Sequence, residues 1–420
     1  MPLPTVRFFL ASCLLVFPAV QGLAQTLING TTARAASWVE WDRASDRVIS
    51  APNDNGAAAP RARQLANGEI LFVYHHGEVL GDCGSRVTVR KSRDGGATWY
   101  QTQQVDGPSE RGFWGFSNPD FIELGHGRLM LVSAARGKAD PHSPDPFISE
   151  CQRSGLRVRF SDDYGKTWGA PRMVAAGRGR VWEPSIVRLP TGELEIFYAN
   201  ESPDLEEEGA SQCIEYIRST DGGQNWGAPV LVTEQAGCRN GMPTALALRN
   251  GHVVCGQEVV GLATSPWIVD LLNGQKRSYH LAQTTYEFGA APFLARTPDG
   301  GTLLAFHSQC DQPLGLKRQP GAWLFSQIYV QRGDAEADHF GPASCPWPPA
   351  EERSGAFFPS LMVTNGGGLV AMASFITVHP DRSITTVVRW IKGRMTLPAG
   401  KLLSDEAGAG GGNSLARQSP

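Results

Sequence analysis

Beyond its first two dozen residues the 420-residue chain has no apolar run long enough to span a membrane. It has no basic cluster either. With 38 Lys and Arg against 41 Asp and Glu the formal net charge is −3, which excludes nucleic acid and anionic membrane surfaces as expected partners. Charge is sparse at 19% beside 41% hydrophobic residues, a balance that excludes disordered and fibrous classes. The nine histidines never fall three together at zinc-ligand spacing, so no catalytic metal and no cofactor are expected. What the chain has in quantity is glycine (48) and proline (29), the punctuation of many short strands joined by turns.

The N-terminus reads as an export signal over residues 1–24. Arg7 supplies the positive charge, Phe8 to Val20 the apolar stretch, and Gly22-Leu23-Ala24 the small-residue cleavage site. The LASC stretch at 10–13 has the form of a lipoprotein box, but only two apolar residues separate it from Arg7. Export makes disulfides permissible, yet seven cysteines remain after cleavage, an odd number. Cys255, within the apolar run HVVCGQEVV, reads as a buried free thiol, and Cys213 with Cys238 as a candidate bridge. The mature protein is expected to be secreted and monomeric, with a Gly-rich disordered tail over 405–420.

One pattern recurs six times: a proline, a β-rich run, a glycine eight residues on, then a second apolar run. It is clear in PRARQLANGEILFVY (60–74), PSIVRLPTGELEIFY (184–198) and PFLARTPDGGTLLAF (292–306). Successive prolines, at 60, 119, 184, 243, 292 and 359, are separated by 59, 65, 59, 49 and 67 residues. A period near 60 with two hairpins per unit is that of a four-stranded propeller blade. The spacing therefore predicts an all-β fold, a six-bladed β-propeller over 25–404, with Trp38 to Ser50 lending an outer strand to the last blade.

Three repeats carry a second signature, SRDGGATW (92–99), SDDYGKTW (161–168) and STDGGQNW (219–226). Asp94, Asp163 and Asp221 are placed to accept backbone N–H bonds across a tight turn, and Gly96, Gly165 and Gly223 to take positive φ. Trp99, Trp168 and Trp226 are then free to pack between blades. These segments resemble the Asp boxes of the sialidase superfamily, where the box is structural and lies away from the active site.

In each blade the start of the first strand and the end of the second fall on one face of the ring. Seven residues past the turn glycine stand His75, Ala134, Ala199, Glu258 and His307. Just before the proline stand Asn118, Glu183, Met242, Ala291 and Phe358. Glu183 and Glu258, in adjacent blades, are the candidate catalytic pair, because glycosidic cleavage needs a proton donor and a second carboxylate opposite it. Trp182 is the expected apolar wall beside Glu183, and Glu201 a sugar-binding or orienting group. Arg61, Arg63 and Arg136, with His75, Asn118, His307 and Phe358, complete the expected substrate-binding set. The acidic run Leu205 to Glu208 reads as a solvated loop.

The resemblance divides at the substrate. Sialidases neutralise their sugar's carboxylate with three arginines and attack with a tyrosine. Here PRAR replaces the first-blade Arg-Ile-Pro motif, Glu258 stands where a fourth-blade arginine is expected, and FFPSL offers Phe357 and Phe358 instead of the tyrosine. WEPSIVRLPTGELEIFYANE, RNGMPTALALRNGHVVCGQE and GAFFPSL are more similar to glycoside hydrolase family 93, the exo-α-1,5-L-arabinanases. That resemblance implies retaining, exo-acting hydrolysis of a neutral oligosaccharide or polysaccharide such as arabinan, with Glu183 and Glu258 as its two glutamates. An exo-α-sialidase and a non-catalytic carbohydrate-binding propeller are the alternatives.

Overall fold

The computed structural model describes residues 38–77, 84–108, 113–137, 154–177, 179–201, 212–262, 265–282, 289–309, 326–348 and 353–396. The export signal, the run at 205–208 and the Gly-rich tail lie outside these residues, as do Cys83, Cys151 and Cys310.

Among the described residues twenty-three strands form six separate antiparallel sheets. Blade 1 comprises β2 (Ala58–Gln64), β3 (Ile70–His76), β4 (Arg86–Ser92) and β5 (Tyr100–Asp106). Blade 2 comprises β6 (Phe113–Gly125), β7 (Arg128–Gly137), β8 (Gly155–Ser161) and β9 (Arg172–Ala176). Blade 3 runs β10 (Val181–Arg188), β11 (Leu194–Asn200), β12 (Cys213–Ser219), β13 (Val230–Thr233). Blade 4 runs β14 (Arg239–Ala247), β15 (Val253–Val260), β16 (Trp267–Leu272), β17 (Gln275–Leu281). Blade 5 has β18 (Ala290–Arg296), β19 (Thr302–Ser308) and β20 (Gln327–Gly333). Blade 6 has β21 (Ser354–Val363), β22 (Leu369–Val378) and β23 (Ile384–Met395), with β1 (Val39–Val48) outermost. Each innermost strand packs against the innermost strands on either side, and β21 meets β2, so the ring closes. The expected outer strand from Trp38 to Ser50 is β1, paired antiparallel with β23.

Blade 5 departs from the expected four strands. Among the described residues its fourth is reduced to two isolated bridges, Val330 with Ser344 and Gly333 with Phe340. Pro342, Pro346 and Pro348 interrupt this segment, and a proline has no N–H to give a ladder. Instead the segment buries Trp347 and ties its indole N–H to Asp46, 3.1 Å away.

The three acidic turns lie at the end of the blades away from the repeat prolines, since Ser92, Ser161 and Ser219 pair with residues at the start of β3, β7 and β11. Asp163 accepts the backbone N–H groups of Lys166 and Thr167, each at 2.9 Å, and the hydroxyl of Thr167 at 2.7 Å. Asp94 and Asp221 repeat the arrangement on Thr98 and Asn225. Trp99, Trp168 and Trp226 pack into cores shared with the preceding blade. Partial burial works against ionisation of Asp163, but bonds from Thr167, Ser161 and Lys166 outweigh it and bring its pKa to about 2. A carboxylate depressed in the folded state stabilises above the ordinary carboxylate range, and that contribution is lost as pH falls towards about 2. Asp163→Ala should therefore melt below the parent at neutral pH, with the gap narrowing on acidification. A gap that stayed constant from pH 7 to pH 2 would show that the ionised turn contributes nothing.

Cys238 and Cys255 carry free thiols, so the candidate Cys213–Cys238 bridge is not formed. Cys255 is fully buried in the seam between blades 3 and 4, and burial pushes its thiol far above the ordinary range.

Candidate active site

Every innermost strand is broken at the same place. Between Trp182 and Ser185 the register slips, so that Glu183 and Pro184 together face the single residue Tyr198. The same slip brackets Ala59, Asn118, Met242, Ala291 and Phe358 with their prolines. Proline suits the bulge because it has no ladder donor to lose. In all six blades the residue before it is a non-glycine in the left-handed region, with φ between 45° and 57°. Such a backbone costs on the order of 1–3 kcal/mol per residue unless its surroundings hold it.

The neighbouring blades supply that support. The amide of Ala59 donates to Ser374 Oγ at 3.2 Å, that of Asn118 to His75 Nδ1 at 3.1 Å, and that of Phe358 to His307 Nδ1 at 3.4 Å. Ala291 donates to Glu258 Oε2 at 2.9 Å. In each case the acceptor stands at the rim position of the preceding blade. The equivalent acceptor for Met242 would come from Ala199, which has none, and Glu183 Oε2 takes that amide instead at 2.5 Å. Burial lowers the pKa of His75 to about 4 and of His307 to about 3, so both rings are neutral at pH 7. With Nδ1 accepting, the proton sits on Nε2.

Glu183 and Glu258 therefore hang from adjacent blades and face one space. Gly241, paired with Glu258 across β14 and β15, is what keeps it open. A Cβ at position 241 would stand 3.4 Å from Glu258 Oε1 and 3.5 Å from Glu183 Oε2, so these oxygens are at most about 7 Å apart. That bound admits the separations over which paired carboxylates cleave glycosides.

Behind them lies a buried amide network. Gln212 Nε2 donates to the Asn240 carbonyl at 2.5 Å, and Asn240 Nδ2 returns to the Gln212 carbonyl at 2.9 Å. Gln257 Nε2 donates to Asn240 Oδ1 and to the Tyr279 hydroxyl, while its Oε1 accepts from Thr233. The network clamps Asn240 and Gln257, the residues that precede Gly241 and Glu258, so the two strands hold a defined register at the carboxylates.

Arg239 completes the cluster. Its guanidinium pairs with Glu201 at 3.2 Å and lies within the field of both Glu183 and Glu258. Burial raises Glu183 to about 7; Arg239 and the Met242 N–H oppose the rise, and the negative charges of Glu258 and Glu201 add to it. Glu258 is also raised by burial, with the Ala291 N–H and Arg239 pulling it back. Nothing in the repeat pattern marks Arg239, Gly241 or the amides, because each acts through contacts between strands or blades.

The structure gathers Glu183, Glu258, His75, Asn118, Trp182, Glu201, His307 and Phe358 on this face. Trp182 is buried in the seam towards blade 4, with the Arg180 guanidinium 5.3 Å from its ring. The three arginines of the sequence-derived set do not converge. Arg136 lies at the rim of blade 2, 5.7 Å from the ring of the exposed Trp114. Arg61 reaches across the axis to within 4.9 Å of the Phe293 ring in blade 5, near enough to Glu183 to feel its charge. Arg63 points to the other end of the axis, donating to the Phe121 carbonyl at 2.6 Å. Among the described residues no group of three or more His, Cys, Asp or Glu is arranged to hold a metal ion.

No protein-family model and no curated protein sequence matches the chain. Solved structures do. A protein of unknown function from Dyadobacter fermentans superposes with a TM-score of 0.66 at 18% identity, covering 86% of this chain and 100% of its own. The α-L-arabinofuranosidase Arb93A of Fusarium graminearum, solved with an iminosugar inhibitor, gives 0.57 at 19% identity over 82% of this chain and 97% of its own. NanB sialidase of Streptococcus pneumoniae gives 0.59 at 10% identity over 82% and 70%. The chain thus shares its six-bladed propeller fold with these solved structures.

Proposed function

We propose that this protein is an exported, exo-acting, retaining glycoside hydrolase that uses Glu183 and Glu258 on a neutral glycan such as arabinan. The observation that carries the reading is the pair of partly buried carboxylates opening onto the space above Gly241, one of them raised to about 7. Similarity of fold to the Fusarium arabinofuranosidase supports the substrate class.

Glu183 is the proton donor, because burial and two like-charged neighbours keep it protonated near neutrality. Glu258 is the nucleophile. Its carboxylate oxygen attacks the anomeric carbon as the bond to the leaving oxygen breaks, and that oxygen takes the proton of Glu183. Water then attacks the glycosyl–Glu258 ester, giving its proton to Glu183 and freeing Glu258. Neutral His75 presents an Nε2–H donor to sugar hydroxyls.

Release of sugar from arabinan or linear arabino-oligosaccharides, with none from sialyllactose, is the expected result of a substrate panel. Sialic acid release would favour a sialidase, and saturable binding without release a lectin-like propeller. The rate should fall on the alkaline side near pH 7 as Glu183 loses its proton, and on the acid side as Glu258 gains one. Glu201→Gln removes a charge that raises Glu183, so the alkaline limb should move to lower pH. Arg239→Gln removes a charge that lowers both glutamates, so both limbs should move to higher pH. An unchanged pH profile in both variants would sink this assignment of roles.

A further inference from the structure

The axial channel has a second mouth, on the face that carries the acidic turns. A cavity of about 380 Å³ opens there, lined by the halves of the innermost strands that follow the bulges. Three of its lining residues are arginines: Arg63 from blade 1, Arg188 from blade 3 and Arg296 from blade 5. They come from alternate blades, so they surround the axis at roughly threefold positions. Each is tied to a backbone carbonyl of a neighbouring blade, Arg63 to Phe121, Arg188 to Leu124 and Arg296 to Ala247, at 2.6, 3.4 and 3.4 Å. One such bond steadies a guanidinium and leaves it further N–H groups to offer.

The one acid among the lining residues is already engaged. Asp120 is buried, pairs with Arg63 at 3.4 Å and accepts the Ile186 N–H at 2.9 Å. Among the described residues no carboxylate pairs with Arg188 or Arg296. Between the arginines the wall mixes Ile122, Val187, Leu246 and Met362 with the polar side chains of Gln64, Ser185 and Thr244. Three guanidinium groups around one mouth concentrate positive potential on the axis, and their planar forks match the oxygens of sulfate and phosphate.

We propose that this second mouth binds a multivalent oxyanion, a sulfate or phosphate group, through Arg63, Arg188 and Arg296. The site is independent of the glutamate pocket, and its ligand is either free in solution or carried on a sulfated glycan.

Calorimetric titration of the whole protein at low ionic strength with inorganic sulfate, inorganic pyrophosphate and a heparin-derived oligosaccharide tests it. Sodium chloride at matched ionic strength and a desulfated oligosaccharide are the controls. At least one of the three anions should bind saturably, and Arg188→Gln/Arg296→Gln should weaken that binding at least tenfold. Arg172→Gln, an exposed arginine of β9, and Glu183→Gln should leave it unchanged. Preference for the inorganic ions would assign a free anion, and preference for the sulfated chain a glycan-borne one. No saturable binding in the parent, equal response to chloride, or undiminished binding in the double variant would overturn the proposal. In that case the arginines serve only to tie blades together.

Discussion

Glu183→Gln and Glu258→Gln should each reduce hydrolysis of the natural glycan by at least a thousandfold while leaving the melting temperature near that of the parent. General acid–base assistance contributes on the order of 10²–10⁴, and loss of the nucleophile abolishes the covalent route altogether. The exchange keeps shape and removes only the ionisable group. Glutamine can still accept the Met242 and Ala291 amides, so the bulges stay supported. The variants should then part company. An activated aryl glycoside needs little acid assistance, so Glu183→Gln should still form its glycosyl-enzyme, and azide should restore turnover with retention. Glu258→Gln should not regain retained product by this route. Rescue of the Glu258 variant instead would exchange the roles, and near-parental rates in both variants would end the paired-glutamate mechanism.

Trp390→Ala should cost about 3–5 kcal/mol of stability, the range for deleting a large buried aromatic. Trp390 has no accessible surface and packs edge-on against Trp99, with ring centroids 5.7 Å apart. Its cluster joins Met362, Val370 and Val388 of blade 6 to Ile70, Phe72 and Tyr74 of blade 1, so it sits where the ring closes. Gly96 lies so close to this indole that a Cβ there would stand 2.7 Å from it. The indole N–H of Trp390 is buried without a hydrogen-bond partner, so Trp390→Phe, which removes it, should cost much less. Denaturant midpoints of the two variants test this, and an alanine variant that unfolds with the parent would show the seam to be slack.

The six prolines and turn glycines made the blades legible, because a hairpin of fixed length repeats its punctuation at fixed offsets. Counting from that punctuation also placed Glu183 and Glu258 on one face. The count failed for Arg63, because the strand carries residues three past its proline towards the opposite mouth. The reduced fourth strand of blade 5 was written in Pro342, Pro346 and Pro348, whose effect on a ladder depends on where the segment is asked to pair. Gly241 and Arg239 stayed silent for a different reason. A glycine signals a turn when read alone, and only the two carboxylates beside it give its missing side chain a purpose. The left-handed bulge residues are likewise ordinary in sequence, since five of the six are held by a side chain from another blade more than thirty residues away.

The pairing of β1 with β23 sets an order in time. Val39 finds Met395 and Val48 finds Arg389, so one of the earliest segments of the fold to be synthesised must wait for nearly the last before either is satisfied. Contacts so distant along the chain make for slow assembly, because the entropy of closing the loop is lost before the pairing returns anything. Until Met395 is available, blade 6 lacks its third strand and β1 presents unpaired backbone on an open edge. The nascent propeller is therefore an open arc, and it becomes a ring in a single late event.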